Sequence, residues 1–170
     1  ERFINHDGLH TSAVFSFKRM LDKILDDVNP DKILVAFDAG KKTFRTEKYS
    51  DYKAGRKKTP EELSEQFPYV KKLLDCYGIK HYELKNYEAD DIIGTMSKEA
   101  EKHGYEITIV TGDRDLTQLV TNQTTVALTV KGVTEIEYYT PNHLSEKLGI
   151  SPSQITDLKG LAGDASDNYP

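Results

Sequence analysis

Two short apolar runs in this chain each lead into an aspartate. Ile33-Leu34-Val35-Ala36-Phe37 runs directly into Asp38, and Ile107-Thr108-Ile109-Val110 passes through Thr111 and Gly112 into Asp113. Runs of strand length without polar alternation suit strands covered on both faces, the condition of a parallel sheet flanked by helices. The segments around them carry helical periodicity. Ser12 is placed to cap a helix reaching about Val28, with Val14, Phe17, Leu21, Ile24 and Val28 on one face, and Asn29-Pro30 ends it.

Thr59-Pro60-Glu61-Glu62 opens a second helix. Its expected inward face is Leu63, Phe67, Val70, Leu74 and Tyr77, with Pro68 set to kink or divide it. A short strand follows over Ile79 to Leu84. The next helix is expected from Ala89 to His103, with Ile92, Ile93, Met96 and Ala100 inward and Gly104 as its stop. A short helix over Leu116 to Val120 is followed by strands at Thr125 to Val130 and Glu135 to Tyr139, joined in a hairpin around Lys131-Gly132. Thr140-Pro141 and Ser151-Pro152 each start a short helix. This alternation predicts an α/β fold with a mainly parallel twisted sheet flanked by helices. The 170 residues are a one-domain length, since domains run roughly 100–200 residues. Ligands of such sheets gather beyond the carboxyl ends of strands, where Asp38 and Asp113 stand.

One cysteine, Cys76, excludes an intrachain disulfide framework and a cysteine-rich zinc site. No run approaches the roughly 20 apolar residues of a membrane span, and no signal pattern opens the chain. The expectation is a cytoplasmic protein without membrane association.

The net charge of -5 conceals an uneven distribution. Between Lys41 and Lys58 the basic residues Lys41, Lys42, Arg45, Lys48, Lys53, Arg56, Lys57 and Lys58 face only Glu47 and Asp51. A basic segment beside an acidic body suits a metal-dependent enzyme acting on a polyanion. The ordinary alternative is a solvated charged loop. Phe44, Tyr49 and Tyr52 lie within the segment, and aromatic faces stack on bases.

Four acidic groups stand out: Asp38; Glu88, Asp90 and Asp91; Asp113 and Asp115; Asp164 and Asp167. Taken singly, each fits a turn, a helix cap or an Asx-rich loop. Converging on one sheet edge, they would repel one another unless cations offset the charge. Oxygen ligands without His or Cys point to Mg²⁺ or Mn²⁺, and two such ions suit phosphoryl chemistry.

Six motifs in order resemble the 5′–3′ exonuclease domain family of bacterial DNA polymerase I, within the flap endonucleases of PIN-like fold. They are Ala36-Phe37-Asp38-Ala39-Gly40; Thr43-Phe44-Arg45 with Tyr52-Lys53-Ala54-Gly55-Arg56; the stretch Glu62 to Phe67; Tyr87 to Thr95; Thr111 to Leu119; and Asp157 to Asn168. The resemblance implies a structure-selective nuclease that cuts DNA, and the RNA of an RNA–DNA hybrid, at 5′ ends and flaps during replication and repair. By the same resemblance Asp38, Glu88 and Asp90 are ligands of a first metal, with Asp91 an outer neighbour. Asp113, Asp115, Asp167 and Asp164 form the group for a second. A gateway or arch over about 41–62 would present Lys53 and Arg56 to the scissile phosphate, Tyr52 to an unpaired base, and Arg45 to another phosphate. A polymerase module in the parent chain is a further implication. The family has an apolar first strand ending in an Asp ligand, which this chain does not contain. It also has a helix–hairpin–helix element whose start falls at about 160–170. The chain alone is therefore expected to be a poor nuclease. Two alternatives stay open on the residues: a haloacid-dehalogenase-type phosphatase using Asp113, whose Asp113-Arg114-Asp115-Leu116-Thr117 fits that motif, and a DNA-binding module with an incomplete site. A PIN-type ribonuclease shares the acidic site but usually lacks a long basic arch.

Overall fold

The structure is a computed structural model that describes residues 3–131 and 135–169. In chain order the elements are α1 (Ser12–Val28), β1 (Leu34–Phe37), α2 (Phe44–Lys48), α3 (Glu61–Ser64), α4 (Phe67–Cys76), β2 (Lys80–Glu83), α5 (Ala89–Lys102), β3 (Ile107–Thr111), β4 (Thr124–Lys131), β5 (Glu135–Tyr139), α6 (Pro141–Leu148) and α7 (Ile155–Ala162). Two 3₁₀ turns, Arg114–Leu119 and Pro152–Gln154, join them. The chain divides into two compact units, Glu1–Val35 with Lys57–Tyr82, and Ala36–Arg56 with Glu83–Pro170.

In the first unit α1 packs on α4. Leu21, Val70 and Leu74 are buried, Leu74 completely. Pro68 lies in the first turn of α4, so the expected single helix is divided into α3 and α4. The division places Leu63 on a separate short helix and Phe67 at the helix start, and both are exposed. Neither Ser12 nor Thr11 caps α1 with its side chain. The acceptor comes from Gln66, whose Oε1 receives the N–H groups of Ala13 at 2.8 Å and Val14 at 3.2 Å. Gln66 Nε2 in turn donates to the Glu62 carbonyl at 2.6 Å, and the residue is buried. A buried amide thus supplies a cap that local sequence does not.

In the second unit β3 and β4 run parallel, with Ile107 opposite Thr124 and Thr111 opposite Leu128. β4 and β5 run antiparallel, with Val126 opposite Tyr139. The expected Lys131-Gly132 turn lies at the edge of, and beyond, the described residues. Ile109, Leu116, Val120, Val126, Leu128, Tyr139, Leu144 and Ile155 form the core. The α/β class and the helix-flanked sheets are as expected. The expected single sheet is instead two: β1 with β2, and β3 with β4 and β5. β4 spends both edges on β3 and β5, while β1 and β2 have only four residues each for their ladder. No helix among the described residues is long and apolar enough to cross a membrane.

Glu137 on β5 ties α6 to the sheet. Its Oε1 meets Lys147 Nζ at 2.5 Å and His143 Nε2 at 2.7 Å, and its Oε2 accepts from Tyr139 Oη at 3.1 Å. Lys147 first, then His143, hold the Glu137 carboxyl at about 2, below its ordinary 4.5.

Two outcomes are expected. Gln66→Ala should lower the unfolding free energy by about 1–2 kcal/mol with an unchanged urea slope, measured by circular dichroism. A depressed carboxyl contributes stability that is present above pH 4.5 and is lost as pH falls towards 2. Glu137→Gln should therefore reduce the acid dependence of the urea midpoint across that window.

Candidate active site

All the acidic residues singled out by sequence fall in the second unit. Asp38 follows the last residue of β1, and its Oδ1 accepts the N–H of Ala89, the first residue of α5, at 2.7 Å. Glu88 is the N-cap residue of α5, with extended backbone, and Asp90 and Asp91 occupy its first turn. Carboxylates are favoured there because the unpaired N–H groups and the helix dipole carry partial positive charge. Asp113 caps the 3₁₀ turn after β3, its Oδ1 accepting the Asp115 N–H at 2.9 Å.

Asp90 registers the crowding. Burial raises its carboxyl to about 6, and the charges of Asp113, Asp38 and Glu88 add to the rise against the opposing pull of Lys53. Among the described residues Asp38, Asp90 and Asp113 have no ion-pair partner.

The other carboxylates are matched to basic side chains. Arg45 grips Asp91 with both ends of its guanidinium at 2.7 Å, and Asp91 Oδ2 also accepts the Glu88 N–H at 2.9 Å. These hydrogen bonds, Arg45 first, hold the Asp91 carboxyl below its ordinary range. Lys53 Nζ lies 2.9 Å from Glu88 Oε2. Burial opposes the Lys53 charge, but its bonds to Tyr52 and Glu88 outweigh that and raise its proton affinity. Arg56 pairs with Asp167. Lys159 on α7 bridges Asp115 Oδ1 and Asp164 Oδ2, each at 2.9 Å.

The basic segment is folded against the loop after α7. That loop starts at Gly163, whose φ of +72° suits a residue without Cβ. Lys53 N–H donates to the Asp167 carbonyl at 3.0 Å, and Arg56 Nε donates to the Ser166 carbonyl at 3.2 Å. Asn168 Nδ2 donates to the Asp51 carbonyl at 3.0 Å, and the Tyr49 ring lies 5.3 Å from that of Tyr169. These contacts hold Lys53 at a left-handed φ of +57°.

The structure gives several of the candidate residues partners within the protein. Tyr52 does not offer its face to a base: it is only 8% exposed, its hydroxyl donates to Glu88 Oε2 at 3.2 Å, and burial raises its phenol to about 12. Within the segment 41–62, α2 is followed by turns over residues 50–55, made by short-range hydrogen bonds such as Ala54 N–H to the Asp51 carbonyl, and α3 begins at Glu61. Arg45 faces Asp91 and not outward. Asp164 is taken up by Lys159 and by the N–H and hydroxyl of Ser166 at 2.9 and 2.7 Å, which lower its proton affinity. Among the described residues no three His, Cys, Asp or Glu side chains are grouped to hold a metal ion. The physical reason is that the ion pairs draw Glu88, Asp91, Asp115, Asp164 and Asp167 towards basic groups. Asp38, Asp90 and Asp113 supply the oxygen-only, unbalanced negative charge that a hard divalent cation requires, so the donor chemistry fits such an ion.

Sequence reasoning missed Lys159 and the α2 helix. Lys159 was legible as a cation two residues after Asp157 and five before Asp164 in a motif otherwise read for its acids.

Residues 1–149 match the model of the 5′-3′ exonuclease N-terminal resolvase-like domain. The chain belongs to that family. Among its relatives is the DNA polymerase I of Bacillus subtilis (strain 168), 58% identical over 166 residues, which are 98% of this chain and 19% of that protein. The chain thus spans about a fifth of the length of the curated relatives it matches. Among solved structures it resembles a bacteriophage T5 protein co-crystallised with metal ions, with a TM-score of 0.73, 22% identity, and 93% of this chain and 61% of that one covered. It also resembles a T5 flap endonuclease in a pseudo-enzyme–product complex with DNA and metal ions, with a TM-score of 0.72, 22% identity, and coverages of 93% and 60%. These likenesses show the shared fold.

Tyr52 is a packing residue whose hydroxyl bonds to Glu88 and Lys53. Tyr52→Phe should cost about 1 kcal/mol and leave single-strand DNA affinity unchanged, whereas Tyr52→Ala should cost about 3–5 kcal/mol. Thermal unfolding and a fluorescence titration with a labelled oligonucleotide check both.

Proposed function

We propose that this chain carries the site of a divalent-metal-dependent nuclease that hydrolyses DNA phosphodiester bonds at 5′ ends and flaps. The observation that carries the reading is the set Asp38, Asp90 and Asp113: three carboxylates without basic partners, at the ends of two strands and one helix, close enough to raise the proton affinity of Asp90. The metal ions in the T5 neighbours support it. Asp38, Glu88 and Asp90 would hold one ion. Asp113 with Asp115, Asp167 and Asp164 would hold a second, with Mg²⁺ or Mn²⁺ the suited species. Such ions, when bound, activate water and offset charge on the attacking and leaving oxygens of a phosphodiester.

The protein's own contribution is orientation and charge. Lys53 and Arg56 lie on one short segment, and each is ion-paired with a site carboxylate. A DNA phosphate offers the same ammonium and guanidinium a second anion, and two donors on one phosphate stabilise the charge that develops there. Arg45, gripping Asp91, braces the first turn of α5 and with it Glu88 and Asp90. Substrates would include the RNA of RNA–DNA hybrids. The setting would be replication and repair in the bacterial cytoplasm, with a polymerase module in the parent polypeptide.

Cleavage of a 5′-flap DNA by the parent polypeptide, followed in a quenched-flow assay with Mg²⁺, tests this. Asp113→Asn should lower the single-turnover rate at least about 10²-fold with flap affinity within a factor of about two. Lys53→Ala and Arg56→Ala should each cost roughly 10- to 100-fold in rate and less in duplex affinity. Wild-type rates in Asp113→Asn would end the metal reading, and wild-type rates in both basic variants would end the role given to the segment.

A further inference from the structure

Lys159 stands between two carboxylates that no other basic side chain approaches among the described residues. Its ammonium is 2.9 Å from Asp115 Oδ1 and 2.9 Å from Asp164 Oδ2. The two acids come from separate segments. Asp115 lies in the 3₁₀ turn after β3, and Asp164 lies in the loop after α7. Lys159 itself is on α7, one turn before the loop, so its reach to Asp164 spans five residues within one local structure. It links that structure to the turn that Asp113 caps.

We infer that Lys159 is a tethered counter-ion: its ammonium answers the charge of Asp115 and Asp164 and is displaced from at least one of them when a divalent cation enters the site. This rests on the proposal that these acids serve a metal. A carboxylate oxygen that faces an ammonium at 2.9 Å has part of its negative charge already answered. A cation that takes the same oxygen must compete with that ammonium, and the tether keeps the competitor at high local concentration. The Lys159 side chain is 41% exposed, so the released ammonium can be hydrated without leaving a buried unpaired charge. The partners are 32% and 16% exposed.

The distinction from a purely structural ion pair lies in the sign of the effect on cation affinity. A brace, once removed, lets the two acids separate and weakens cation binding. A competing counter-ion, once removed, strengthens it. Partly exposed pairs of this kind are modest in strength, so the expected change is about threefold to tenfold.

The test is Mn²⁺ binding to the full chain, without DNA, read from the electron paramagnetic resonance signal of free Mn²⁺. Lys159→Met should bind the weaker Mn²⁺ about threefold to tenfold more tightly than the unaltered protein. Lys159→Arg, which keeps the charge, should stay within a factor of about two. Should Lys159→Met not fold by circular dichroism, Lys159→Gln carries the same expectation, since it loses the charge and retains hydrogen bonding. An unchanged or weaker affinity in the folded, uncharged variant overturns the counter-ion role. Absence of any Mn²⁺ binding by the unaltered protein overturns instead the metal reading beneath it, and the inference with it.

Discussion

Repulsion among carboxylates is the constraint around which the second unit is organised. Strand ends and a helix start deliver Asp38, Glu88, Asp90 and Asp113 to neighbouring positions, and Asp90 is raised to about 6, first by burial and then by the charges of Asp113, Asp38 and Glu88. A folded chain tolerates such a concentration only if positive charge is near. The protein supplies much of it from within. Arg45, Lys53, Arg56 and Lys159 each sit on a site carboxylate. These pairs cost side-chain freedom and are individually weak where solvent reaches them. Together they offset part of the acids' charge. Of these, Lys53 and Arg56 are the ones that, on the proposed reading, a nucleic-acid phosphate would draw upon.

Much of this was legible in the sequence because the relevant signals are local. An apolar run of four or five residues, followed by Asp or by Thr-Gly-Asp, marks a strand and its exit. Asn29-Pro30, Gly104 and Thr140-Pro141 mark helix limits, and the structure sets those limits within a few residues. The motif of Glu88, Asp90 and Asp91 reads as a helix start, and it is one. Family membership followed from the order of the motifs.

What was not legible depends on contacts between distant residues. Gln66 caps α1 across more than fifty residues, and nothing in the neighbourhood of Ser12 announces it. Tyr52 looks like a surface aromatic in a basic stretch, yet the packing around Glu88 and Tyr169 buries it. Met96 falls on the apolar phase of α5 and is exposed, while Ser97 is buried in its place, because the covering elements set which side of a helix faces inward. Asp115 and Asp164 were grouped correctly as acids, but Lys159 between them was not seen. Charge partners are chosen by side-chain reach in three dimensions and not by spacing along the chain.

Asp38 binds the N–H of Ala89 and so joins the exit of one strand to the origin of a helix. A side chain used in this way has surrendered its rotational freedom during folding. Capture of an ion by that carboxylate would then meet a smaller entropic penalty than capture by a mobile one. The arrangement also couples positions: if α5 slides along its axis, Glu88 and Asp90 travel with it, and Asp38 is pulled after them. That one hydrogen bond therefore ties the position of Asp38 to the start of the helix that carries Glu88 and Asp90.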